Sequence, residues 1–152
     1  MTIAAAAVIT TASVAARSDR VEVEKVGGAA MPSDDLEPTT HRFQKTLFGG
    51  VQTVVADNAD YSRQIMLIRE HLADEVDAFR RGDFRDPETI HGADMPGVAT
   101  LESRSDLLRV DLLDRPDGAS IVFRTRDQAV RQALHTWFDA QVHDNGAHAE
   151  HP

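Results

Sequence analysis

One pattern restricts the fold of this chain more than any other, and it occurs twice. A glycine turn leads into a strand of alternating side chains, then an acidic cap, then an amphipathic helix. The first copy reads GGVQTVVADNADYSRQIMLIREHLADE and the second DGASIVFRTRDQAVRQALHTWFDAQ. Ahead of the first copy, His41, Phe43, Lys45 and Leu47 alternate with Arg42, Gln44 and Thr46, as on a half-buried strand. Gly49-Gly50 reads as a hairpin turn, because both glycines tolerate positive φ, and VQTVVA returns as the second strand. Asp57 or Asp60 is placed to cap a helix from about Tyr61. Ile65, Ile68, Leu72, Val76 and Phe79 then recur at helical steps as one apolar stripe, and Gly82 ends it.

In the second half, Leu108, Val110 and Leu112 share one face of DLLRVDLLD, RPDGA turns the chain, and Ala119, Ile121 and Phe123 alternate. Thr125 and Gln128 have capping-box spacing for a last helix. That helix sets Val130, Leu134, Trp137, Phe138 and Gln141 on one side and stops at Gly146. The order is ββα, linking loop, ββα. Each unit is too small to bury its own apolar face. The expected fold is therefore α+β: a two-layer sandwich with a ββα-loop-ββα pseudo-repeat, a four-stranded antiparallel sheet and both helices on one face.

Composition sets the domain limits. In residues 1–30 Arg17, Arg20 and Lys25 balance Asp19, Glu22 and Glu24, so the net charge of −9 resides in residues 31–152. Residues 1–30, rich in Ala, Val, Thr and Gly, read as a disordered extension or a mis-assigned start ahead of Met31. Residues 31–146 form the single domain, and 147–152 a flexible tail carrying His148 and His151. No Lys or Arg precedes Arg17, so a secretory leader is not expected; the chain reads as cytoplasmic, with export through the SVAA stretch as the alternative. No apolar run approaches the ~20 residues of a membrane span. With no cysteine, disulfides, thiolate metal sites and cysteine nucleophiles are excluded. The basic runs RSDR, FRR and FRTR are short and broken by acids, so nucleic acid is not an expected partner.

The chemistry-bearing residues gather in the linking loop, RRGDFRDPETIHGADMPG. Long irregular connections in compact domains tend to be functional or disordered, and Phe84, Ile90 and Met95 are apolar anchors that oppose disorder. His91 stands three residues before Asp94 and four before Met95 around a glycine-permitted turn. Imidazole and carboxylate suit zinc, and an added thioether leans toward copper. The competing structural role has His91 bonding backbone and Met95 filling core. Each helix adds a histidine one turn from a carboxylate, His71 with Glu75 and His135 with Asp139, both at the border of their apolar stripes. His143, Asp144, His148, Glu150 and His151 enrich the tail. His41, on the face of Phe43, reads as structural, and Met66 and Trp137 as packing residues. There is no GxxxxGK[ST], GxGxxG or GxSxG frame.

These segments together carry a resemblance. TTHRFQKT…GGVQTVVADNAD, IRxHL, FRRGDFRDPxxIHGxDMPG and ALHxWFDAQxxDxGxHA resemble a small family of bacterial proteins of unassigned activity that are often labelled aspartate carbamoyltransferase. The likeness runs from about Met31 to His148 and is consistent with Met31 as the domain start. The residues do not carry that label: such a transferase uses a carbamoyl-phosphate loop of STRT type in a much longer chain, and here only FRTRD occurs. The resemblance singles out His71, His91, Asp94, Met95, His135, Gln141, Asp144 and His148. Relatives often read DHG where this chain has Asp144-Asn145-Gly146, so Asn145 stands in place of a ligand candidate.

The expected function is a small binding protein holding a divalent transition metal, zinc or copper. Its ligands are sought among His91, His71, His135, Met95, Asp94 and His148. One alternative is an enzyme on a polar metabolite, with His91 as acid or base and Arg85 or Arg81 as anion clamp. The other is a metal-free interaction module, for which a homodimer is the expected form.

Overall fold

The computed structural model describes residues 39–84, 95–145 and 149–150. Its elements run β1 (Thr39–Thr46), β2 (Gly49–Ala56), α1 (Ser62–Arg80), α2 (Val98–Ser103), a 3₁₀ turn (Ser105–Leu107), β3 (Arg109–Arg115), β4 (Gly118–Arg124), α3 (Gln128–Asn145) and β5 (Ala149–Glu150). The sheet order is β3-β4-β2-β1-β5, antiparallel throughout except that β5 joins β1 in parallel. The fold is α+β, as the periodicity requires. The tail expected to be loose adds two residues to the sheet edge instead: Ala149 pairs with His41 and Glu150 with Arg42.

Both hairpins close over two-residue turns, and they meet at the centre of the sheet. Thr46 faces Gly49 across the first turn, so Leu47-Phe48 forms the turn and the glycines begin the strand. The glycines were expected as the turn itself, and the reason for the difference is tertiary. At Gly49, with φ +144°, a Cβ would lie 2.1 Å from the Phe123 carbonyl oxygen; at Gly118 it would lie 2.0 Å from that of Val54. Each glycine permits its hairpin to press on the other. The same relation governs the turn carbonyls. Thr125 N–H donates to Phe48 O at 2.8 Å, and Ala56 N–H donates to Asp117 O at 2.9 Å.

One face of the sheet carries Phe43, Val54, Ala119, Ile121, Phe123 and Val110, all buried, and register sets them side by side. Phe79 of α1 reaches Phe123 (centroids 6.0 Å), and Phe138 of α3 reaches Phe43 edge-on at 5.3 Å, so both helices cover this face. Aromatic edge-to-face packing of this kind adds to plain area burial. Trp137, 1 % exposed, meets Phe79, Phe84, Phe123 and Phe138 and is the hub of the core. Met66, read from sequence as a packing residue, is 51 % exposed instead, because it lies off the apolar stripe of α1.

The caps also differ from their sequence assignment. α1 has no side-chain cap at Tyr61; Asn58 Oδ1 accepts the Asp60 N–H, and Asp60 contributes only its backbone carbonyl to Ser62. α3 is capped by Asp127, whose Oδ1 accepts the Val130 N–H at 2.9 Å, while Thr125 Oγ1 accepts the Asp127 N–H. Asp127 also pairs with Arg104 at 3.1 Å. The Val130 backbone donor above all, and the Arg104 guanidinium to a lesser degree, hold its carboxyl below the usual range against opposing desolvation.

Candidate functional site

The two flanks of α1 differ in chemistry. At about 100° per residue, Arg69 and Arg80 stand on one side of the apolar stripe, and Gln64, His71 and Glu75 on the other. Arg69 donates to the carbonyls of Gly118 and Arg115, and Arg80 to that of Val110. The arginine flank therefore faces the β3 edge, and the flank with Gln64, His71 and Glu75 turns toward α3.

From α3, Trp137 faces the same junction, with its ring 5.8 Å from Phe79. Gln141 follows one helical turn later, buried, and its Nε2 donates to Met95 Sδ at 3.7 Å. The linking loop is held at this junction by both described ends. Phe84, fully buried, stacks on Phe79 at 4.8 Å and meets Trp137 at 6.5 Å; Met95, 5 % exposed, sits on Gln141.

The described residues hold more buried polarity than a small core needs, part of it at this junction. His71 Nε2 lies 3.4 Å from Glu75 Oε1, and Glu75 is only 7 % exposed. Among the described residues, Glu75 Oε2, Gln64 Nε2, Trp137 Nε1 and, from β2, Gln52 Oε1 find no hydrogen-bond partner. Buried polar groups in native structures are almost always bonded, and each that is not costs about 1–3 kcal/mol, more when charged. A carboxylate with one desolvated, unmatched oxygen is suited to a cation or a strong donor.

The candidate ligands separate accordingly. His71 and Met95 stand at the junction of α1 and α3. His135 does not: two positions before Trp137 it turns to the other side of α3, and its Nε2 donates to Gly49 O at 2.8 Å. That bond fixes the first hairpin and removes this nitrogen from metal ligation. His91, Asp94 and His148 lie outside the described residues. Among the described residues no three His, Asp or Glu side chains group closely enough to hold a metal. His41 is half-buried beside Thr39, its Nε2 3.5 Å from Oγ1, which suits a structural role. In the sequence Glu75 stands out only as a neighbour of His71, and Gln64 and Gln52 do not stand out at all. A polar residue adjoining an apolar helical stripe was the available sign, and it needs the flank assignment to become informative.

Compared with family models, curated proteins and solved structures, the chain finds no match. No helix among the described residues is long and apolar enough to cross a membrane.

Proposed function

We propose that this protein is a small binding protein that holds a divalent transition metal, zinc or copper, at the junction of α1 and α3. The supporting observation is Glu75, a buried carboxylate with an unmatched Oε2, paired through its other oxygen with His71. A metal there satisfies the carboxylate, and a carboxylate–imidazole pair is a recurrent way to orient a metal-binding histidine. Met95 brings a thioether to the same junction, which favours copper over zinc. His91 and Asp94 belong to the segment whose two ends, Phe84 and Met95, are buried at that junction, and they complete the ligand set. His135 is not part of it.

The test is elemental analysis of the full chain after equilibration with equal low concentrations of Zn²⁺, Cu²⁺, Ni²⁺ and Mn²⁺ and exhaustive dialysis. Near-stoichiometric retention of one metal is expected, lost in Glu75→Gln and His91→Ala and kept in His135→Gln. Metal-free wild-type protein, or retention unaffected by Glu75→Gln, refutes the assignment.

A further inference from the structure

The edge of β3 is open: β4 pairs with its inner side, and among the described residues no strand pairs with its outer side. Open edges of this length invite pairing with another chain unless they are blocked. Because backbone groups alternate sides along a strand, and Val110 O faces outward to accept Arg80 Nε at 2.9 Å, Leu112 and Asp114 also point their N–H and C=O groups outward. Leu113 faces away from the helices and is 56 % exposed. On its side of the strand the charges run Arg109, Asp111, Leu113, Arg115, and Asp117 follows in the turn.

That line is complementary to its own reverse. We infer that β3 pairs antiparallel with β3 of a second copy of this chain about a two-fold axis at Leu113, joining the two sheets into one. In this register Leu113 meets Leu113 of the second copy, and Asp111 meets Arg115 on each side. Arg109, bonded to Asp111 of its own chain at 2.8 Å, lies opposite Asp117 of the second copy at either end. Leu112 and Asp114 exchange the backbone hydrogen bonds. The neighbouring register, centred on Leu112, is disfavoured: it sets Arg109 against Arg115, and it requires Val110 O, which Arg80 already occupies. Like charges directly opposed across strands are destabilising, and opposite charges contribute.

Two further features agree. The Arg115 side chain is 41 % exposed and its Nε reaches Asp117 only at 3.5 Å, so the guanidinium remains accessible to a second carboxylate. Met66 stands one turn before Arg69 on the flank of α1 above the β3 edge, and its 51 % exposure would fall against the second copy. An isologous contact of this kind closes on itself and does not propagate into a fibre.

The experiment is sedimentation velocity over a concentration series for the full chain, Leu113→Asp and Leu113→Cys. The wild type should be dimeric, and Leu113→Asp should weaken association by at least about tenfold with an unchanged circular dichroism spectrum. The chain has no native cysteine, so Leu113→Cys offers an independent readout. The two-fold sets these residues in a non-hydrogen-bonded pair, about 4.5 Å between Cα atoms, inside the window of about 4.4–6.8 Å that a disulfide accepts. It should therefore cross-link in air far faster than Leu107→Cys, a control that is exposed but lies outside the strand. A monomer at every concentration, an undiminished dimer in Leu113→Asp, or equal cross-linking rates in the two cysteine variants each overturns the inference.

Discussion

Replacing Glu75 by Gln should make the metal-free protein more stable while abolishing the metal binding proposed for it. The wild-type carboxylate is 7 % exposed, and one of its oxygens has no partner among the described residues. Leaving a buried acceptor unmatched costs about 1–3 kcal/mol. In Glu75→Gln the amide oxygen keeps the place of Oε1, 3.4 Å from His71 Nε2. The amide nitrogen replaces Oε2 without charge, so the desolvation penalty falls even though a partner is still lacking. A gain of roughly 1 kcal/mol is expected, which raises the midpoint of thermal unfolding by about 2–8 °C in a domain of this size. Functional sites often hold this kind of stored instability. Saturating metal should reverse the order. The wild type gains about 2.7 kcal/mol at a free metal concentration a hundredfold above Kd, and the variant gains none. The assay is calorimetric unfolding of both proteins, with chelator and then with the retained metal. If metal-free Glu75→Gln unfolds at a lower temperature than the wild type, the carboxylate is satisfied by the fold itself, and the basis for a cation site there is removed.

Other consequences rest on single features of the fold. Gly118→Ala drives a Cβ onto the Val54 carbonyl, so it should destabilise by about 1–3 kcal/mol, read as a fall in the urea midpoint at an unchanged m-value. Asp111 is held below its ordinary pKa of 3.8, first by the hydrogen bond from Arg109 and further by the charges of Arg109, Arg124 and Arg80, with desolvation opposing; Asp127 is lowered likewise by its helix cap. Depressed folded-state values mean that both contributions are present above the unfolded pKa and are lost as pH falls through the folded values. The urea midpoint should therefore hold from neutral pH to about pH 5 and drop below pH 3.8. Asp127→Asn, which keeps a capping oxygen but cannot titrate, should flatten part of that drop. Phe48 is 73 % exposed at the hairpin tip, so Phe48→Ser should change stability by no more than about 0.5 kcal/mol while lowering the binding of a hydrophobic dye; a large loss would mean that the tip is packed.

Much of the architecture was legible because it is written in local periods. Phe43 and Val54, or Val110 and Phe123, fall on one face because strand side chains alternate. Ile65 to Phe79 form a stripe because helical neighbours recur at three and four residues. Those regularities require no knowledge of the partner surface, and the order of two hairpins and two helices followed from them. The anchored ends of the linking loop, Phe84 and Met95, were legible for a related reason: an apolar residue in a polar run has to be buried somewhere.

What the tertiary structure decided is wherever distant segments meet. The first turn fell on Leu47-Phe48 because the glycines were needed two residues later, where Gly49 presses on the Phe123 carbonyl. His135 left the candidate site because the Gly49 carbonyl, far away in sequence, claims its Nε2. The tail reached the sheet because the outer edge of β1 offered backbone partners to Ala149 and Glu150. Glu75 became the centre of the site only once Arg69 and Arg80 fixed which flank of α1 faces the β3 edge and which faces α3. A helical pattern records that a residue lies beside the stripe. Whether that side is water, a hydrogen-bonded edge or a buried junction is settled by the neighbouring element, and no local period carries that information.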